Sequence, residues 1–223
     1  MFARHSLAWL SDQGWRALGE TAGETDRSAI DLWRAAGWPA TVRRRDAAAP
    51  ADNVCLGLAS PPDPLSGIKH RTSLVTPLSS VVTMTMPRTL DTVQPALPAA
   101  WATAVRALLS DAEMAGLQLR VYGSCAWQTL TGRCFLGPDS DLDLLIYPVS
   151  QQQLDDAIAL LARHAVCLPL DGEIIFPSGQ AVAWKEWQFV AGQAGARVLV
   201  KEIDRVSLQT TTALLATFGT GHA

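Results

Sequence analysis

LQLRVYGSCAWQTLTGRCFLGPDSDLDLLIY occupies residues 117–147, and the rest of the chain is organised around it. Leu117 to Tyr122 predicts a strand, Gly123-Ser124 a tight step, and the residues from about Cys125 a short helix. An irregular segment leads to a second strand, Leu142 to Tyr147, with Asp141 and Asp143 at its leading end. Side chains two apart on a strand face the same way, so these two aspartates point together while Leu142 and Leu144 turn to a buried face. Neighbouring carboxylates repel, and a hard divalent cation with oxygen ligands removes that cost. Mg²⁺ is the usual choice where phosphates supply the remaining ligands. Gly123 lets the backbone approach a ligand closely, the helix start behind it offers free N–H groups to a phosphate, and Ser124 adds a hydroxyl.

A lone Asp-x-Asp usually marks a solvated strand end, and a lone Gly-Ser carries less still. Both together, in order, each at the end of an apolar strand, resemble the signature of the nucleotidyltransferase superfamily. That resemblance implies two metal ions and in-line attack on a phosphate. Sixteen residues separate Ser124 from Asp141, more than the superfamily's usual gap. TLTGRCFLGP is therefore expected to form a family-specific loop. Two metals need more than two protein ligands, so a third carboxylate is expected on a neighbouring strand. In LPLDGEIIF (168–176) Asp171 is the first choice, Glu173 shares its face, and Glu186 on the expected return strand is the competitor. Lys185, Lys201 and Arg205 are further phosphate donors by charge.

The 223 residues suffice for one large domain or two small ones, and an apolar fraction of 48% can build a core. A net charge of −3 gives no overall basic character for nucleic acid. Cys55, Cys125, Cys134 and Cys167 show no CxxC spacing, so thiolate metal binding is not expected. The first residues, MFARHSLAWLSDQGW, show no long apolar run and no cleavage site, and no later stretch reaches spanning length. A cytoplasmic protein with no membrane partner is expected.

Working outward, residues 1–38 predict two helical pieces, the first with a stripe of Leu7, Trp9, Leu10, Trp15 and Leu18, the second capped by Ser28 and stopped by Gly37. TVRRR (41–45) starts as a strand and turns basic, Val54 to Ala59 is a strand, and Leu74 to Met86 is β-rich. Arg43 and Arg45, with Lys69 and Arg71, are candidate phosphate contacts, or an ordinary solvated charge run. PRTLDTVQPALPAA (87–100) is the expected linker, dividing an N-terminal domain, 1–92, from a catalytic domain, 93–223. Trp101 to Ala115 and Gln151 to Ala165 are amphipathic helices. Ala181 to Phe189 is expected to return as a strand after a Pro177–Gln180 turn. Arg197 to Ile203 closes the sheet and Ser207 to Phe218 is the last helix. Trp127, Trp184 and Trp187 could wall a ligand, core packing being the more ordinary role. The fold class is α+β: a nucleotidyltransferase-like mixed sheet with flanking helices, preceded by a smaller α+β domain.

RHSLAWL, TVRRR, YGSCAWQTLTG, SDLDLLIYP and LDGEIIFPSGQAVAWKEW together resemble the phosphoribosyl-dephospho-CoA transferases of malonate decarboxylase, also called its holo-acyl carrier protein synthases. The resemblance runs over nearly the whole chain. It implies transfer of the phosphoribosyl-dephospho-CoA group from 2′-(5″-triphosphoribosyl)-3′-dephospho-CoA to a serine of the malonate decarboxylase acyl carrier subunit, with release of pyrophosphate. The family's catalytic pair matches Asp141 and Asp143, while Asp171 rests on the strand argument alone. The alternative is another Mg²⁺-dependent nucleotidyltransferase, moving AMP onto a small molecule, RNA or protein. A degenerate, non-catalytic nucleotide-binding module is a third reading, opposed by the intact aspartates.

Overall fold

The computed structural model describes residues 3–63, 65–193 and 195–220. Their contacts divide into two compact units, one of residues 3–87 with 130–135 and 203–205, the other of 88–129, 136–202 and 206–220. Both mix helices and sheet, as the α+β expectation requires.

The first unit opens with β1 (Leu7–Leu10), α1 (Asp12–Thr21) and α2 (Glu24–Ala36). The predicted first helical stripe is thus corrected, because Leu7 to Leu10 is a strand between two others. It pairs with β2 (Ala40–Val42) on one side and, beyond β3 (Asn53–Ala59) and β4 (Arg71–Pro77), with β5 (Val81–Thr85) on the other. Ser11 ends it by capping α1, its hydroxyl accepting from Gly14 N at 3.1 Å. Ser28 is no cap; it lies inside α2 and donates to Glu24 O. Gly37 does end that helix, in the left-handed conformation (φ 68°). The sheet runs β4-β3-β2-β1-β5, antiparallel throughout. Alternation in β4 buries Thr72, Leu74 and Thr76 and exposes the residues between them. Trp15, Ile30 and Trp33 from the helices are buried with Leu7, Val42 and Leu56 from the sheet.

In the second unit the stretch expected as a linker forms α3 (Leu90–Val93) and two short 3₁₀ turns. Leu90 and Val93 are fully buried in this unit's core, so apolar burial overrides the three prolines. Then come α4 (Ala102–Met114), β6 (Leu119–Val121), α5 (Gly123–Thr131), β7 (Leu142–Ile146), α6 (Gln151–His164), β8 (Leu170–Ile175) and β9 (Ala181–Ala183). The chain ends with α7 (Trp184–Val190), β10 (Arg197–Lys201), β11 (Val206–Thr210) and α8 (Thr211–Leu215). Two corrections lie here. AVAWKEWQF is strand only to Ala183. Trp184 and Trp187, three apart and both buried, make a helical rather than an alternating face. Ser207 to Thr210 is strand, register-paired with β10, before the last helix begins.

The sheet order is β11-β10-β9-β8-β7-β6, and only β7 and β8 run parallel. A parallel pair needs a crossover, and α6 supplies it. Its cap is Ser150, which accepts from Gln153 N at 3.1 Å. Leu154, Ala157 and Leu161 of α6, with Val105 and Leu108 of α4, pack in one cluster with Leu142, Leu144 and Ile146 of β7. That leaves the alternate positions of β7 and β8, including Asp143 and Asp171, for the opposite face. No helix among the described residues is long and apolar enough to cross a membrane.

Candidate active site

The site begins where β6 hands over to α5. Gly123 has φ 66°, a conformation that L side chains rarely adopt. A Cβ there would lie 2.1 Å from Asp143 Oδ2 and 3.0 Å from its Cγ. Glycine is therefore required twice, by backbone conformation and by the carboxylate pressed against it. Tyr122 N donates to Asp143 O at 3.1 Å, which carries the β6–β7 ladder up to this point. The Gly-Ser step and the second aspartate, separated by a long loop in sequence, are thus in direct contact.

That loop is fixed from both ends. Gln128 on α5 donates to Ala96 O at 2.6 Å and accepts from Leu136 N at 3.1 Å. Ser140 Oγ accepts from Gly137 N at 2.9 Å. Cys125 is fully buried and its Sγ lies 3.8 Å from Asp141 O, so the helix start also touches the first aspartate's backbone. Asp141 is exposed and sits one residue before β7 rather than within it.

Parallel pairing brings the third carboxylate. Asp143 and Asp171 are register partners on β7 and β8, the pairing held at its start by Leu142 N donating to Pro169 O at 2.8 Å. Register partners on one face of adjacent strands are neighbours about 5 Å apart at the backbone. Next along β8, Gly172 (φ 138°) has no room for a Cβ, which would meet Leu144 O at 2.0 Å. A side chain at Gly172 would therefore run into the β7 backbone beside the carboxylates.

The other predicted residues are dispersed. Glu173 is buried, 3% exposed, and its Oε1 accepts from Lys201 Nζ at 2.8 Å. Glu186 lies on α7, not on a strand, and accepts from Leu199 N at 2.7 Å, which occupies it in joining helix to sheet. Lys185, also on α7, has its Nζ 3.7 Å from Asp171 Oδ1. Trp127, Trp184 and Trp187 are buried, in keeping with core packing. In the first unit, Arg43 places both terminal nitrogens on or beside Asp46, at 2.6 Å each, and its Nε on Leu56 O. Arg45 donates to the carbonyls of Ala49, Pro50 and Ala51. These two guanidiniums hold their own loop together, a use that a charge run in sequence does not reveal. Arg71 is exposed on β4 and Lys69 half-buried just before it. The Glu173–Lys201 pair has no sequence signal beyond the alternation that puts Glu173 on the face of Asp171.

A glycine-opened helix against a strand-end carboxylate, with a second carboxylate in register beside it, is the constellation of a group-transferring enzyme. Residues 3–87 match the N-terminal domain of phosphoribosyl-dephospho-CoA transferase MdcG, and residues 89–212 match its C-terminal domain. A phosphoribosyl-dephospho-CoA transferase of Xanthomonas euvesicatoria is 38% identical, covering 90% of this chain and 91% of that protein. One from Xanthomonas campestris is 37% identical over 96% and 97% of the two chains, and one from Bradyrhizobium diazoefficiens 36% over 92% and 88%. No solved structure matches the chain. The chain belongs to the phosphoribosyl-dephospho-CoA transferase family, and it is a transferase enzyme.

Proposed function

We propose that the chain transfers the phosphoribosyl-dephospho-CoA group from 2′-(5″-triphosphoribosyl)-3′-dephospho-CoA to a serine of the malonate decarboxylase acyl carrier subunit, releasing pyrophosphate. The names of its relatives support the transferred group, and the malonate decarboxylase acceptor follows from the family resemblance. The observation that carries the chemistry is the contact of Gly123 with Asp143, beside Asp171 in register.

The donor set suits a hard divalent cation, here Mg²⁺: Asp141, Asp143 and Asp171 offer only oxygen, and Gly123 leaves the Asp143 carboxylate a cradle that any Cβ would fill. Among the described residues no three His, Cys, Asp or Glu side chains are gathered as a complete metal group. Asp143 and Asp171, the register pair, would be the protein ligands, with substrate phosphates supplying the remaining ones. Bound there, it would polarise the phosphoryl oxygens and lower the pKa of an attacking hydroxyl.

The chain's own residues set the geometry. The carrier serine attacks the α-phosphorus, and the bond to the pyrophosphate oxygen breaks. Asp171, half-exposed and next to Asp143, accepts the serine proton. Gly123 and Ser124, at the start of α5, bring backbone N–H groups and a hydroxyl to the phosphates. Lys185 provides a cation for the leaving group. Arg71 and Lys69 are the phosphate contacts proposed for the first unit.

The test is the intact mass of the apo carrier subunit incubated with this protein, Mg²⁺ and the triphosphate precursor. A gain of one phosphoribosyl-dephospho-CoA group, lost with Asp141→Asn, is expected. No gain with a folded carrier overturns the reading, and transfer of AMP from ATP is then the reaction to measure.

A further inference from the structure

We propose that Lys185 is an exchangeable counter-ion: its ammonium neutralises Asp171 in the cation-free protein, and moves to the substrate's phosphates when a divalent cation takes its place at that carboxylate. The inference rests on the function proposed above.

Asp143 and Asp171 are held side by side by the β7–β8 register, so their repulsion exists before any ligand arrives. Lys185 is placed to offset it. Its Nζ lies 3.7 Å from Asp171 Oδ1, within ion-pair range but beyond a good hydrogen bond. The two side chains are 55% and 45% exposed, so water screens the pair and little holds it closed.

The neighbouring pair on the same strand shows the contrast. Lys201 Nζ meets Glu173 Oε1 at 2.8 Å, and Glu173 is 3% exposed. Parting those two would strand a buried charge, so Lys201 is a fixed partner. Two residues apart on β8, one carboxylate has a permanent cation and the other a removable one.

The local sequence explains how Lys185 can leave. In Ala183-Trp-Lys-Glu-Trp187, the strand ends at Ala183 and both tryptophans are buried, which turns Lys185 outward at the start of α7. Its ammonium also lies 5.8 Å from the centroid of the Trp184 ring. That contact belongs to the same position of the ammonium and is a weak one, so it does not pin the side chain. A long stem on an anchored base lets the charge move while the backbone stays still.

The experiment measures Mn²⁺ binding to the full chain without substrate, from the loss of the free-ion signal in electron paramagnetic resonance. An exposed pair of this kind predicts that Lys185→Met binds Mn²⁺ roughly two- to five-fold tighter than wild type. Asp171→Asn binds more weakly, and adding Lys185→Met to Asp171→Asn changes nothing further. With substrate, Lys185→Met raises the KM for the triphosphate. Unchanged or weaker Mn²⁺ binding in Lys185→Met overturns the exchange. So does equal tightening in the Asp171→Asn background, because that marks a general charge effect. Wild-type Mn²⁺ binding by Asp171→Asn instead overturns the assignment of the site, and the exchange with it.

Discussion

The two units treat their aspartates in opposite ways. Four in the first unit are closely paired: Asp12 with Arg34 at 2.5 Å and Arg16 at 2.7 Å, Asp26 with His70 and Thr72, Asp46 with Arg43, and Asp63 with Ser66. Each carboxyl is drawn below its ordinary value, first by the hydrogen bond from Arg34, His70, Arg43 or the Ser66 backbone respectively. In the second unit, Asp143 and Asp171 are set against each other, and the ammonium at Asp171 is 3.7 Å away. Even there the contrast is local. Asp111, on α4, is paired with His164 and Arg163 and is likewise drawn down, by His164 first. Short, directional pairs tie elements together. A carboxylate such as Asp171, set beside another and only loosely compensated, is what a ligand can use.

Substitutions can break that comparison. Asp171→Asn should lower transfer on the order of a thousandfold, the scale of removing a group aimed at transition-state charge, while unfolding free energy falls little or rises, its ion pair being long and exposed. Asp26→Asn in the first unit should do the reverse, leaving carrier modification intact and costing some stability. Equal stability losses for both, read from urea unfolding, would erase the distinction between functional and structural carboxylates.

Gly172→Ala is next in size. A left-handed φ and a Cβ 2.0 Å from Leu144 O should together cost roughly 3–5 kcal/mol, measured by chemical denaturation. Because it acts at the β7–β8 seam, it should also reduce transfer by moving Asp171 relative to Asp143.

The helix caps sharpen the comparison from the other side, since the same device occurs in both units. Ser11→Ala and Ser150→Ala should each cost about 1 kcal/mol, through the lost bonds to Gly14 N and Gln153 N. The Ser150 change touches the crossover that makes β7 and β8 parallel, so it alone should also lower transfer.

The smallest effect is pH. Folded Asp26 titrates below its ordinary 3.8, so its contribution is present above that value and is lost as pH falls through the lower folded value. The pair is exposed, so the gain is well under 1 kcal/mol. Stability measured against pH should fall less steeply below about pH 4 in Asp26→Asn than in wild type.

Much of this was legible in residue order. The α+β class, the Gly-Ser step and the Asp-x-Asp strand end followed from local alternation and turn chemistry, which also made Asp171 a candidate. Where reading failed, a short apolar run served two periodicities. Leu7 to Leu10 fits a helical stripe until Ser11 caps the next element, and AVAWKEWQF alternates until two tryptophans three apart claim a helix. Leu90 and Val93 show the same lesson for composition, since burial held in place a proline-rich stretch.

By itself, then, the sequence determined which residue types stand at the strand ends, because those depend on neighbours within a few positions. Only the tertiary structure decided that Asp143 faces Asp171, that Gly123 lies against Asp143, that Glu186 is occupied by Leu199, and that Arg43 and Arg45 close their own loop. Strand order, register and the destination of a long charged side chain are set by contacts between residues far apart in the chain, and no local period encodes them.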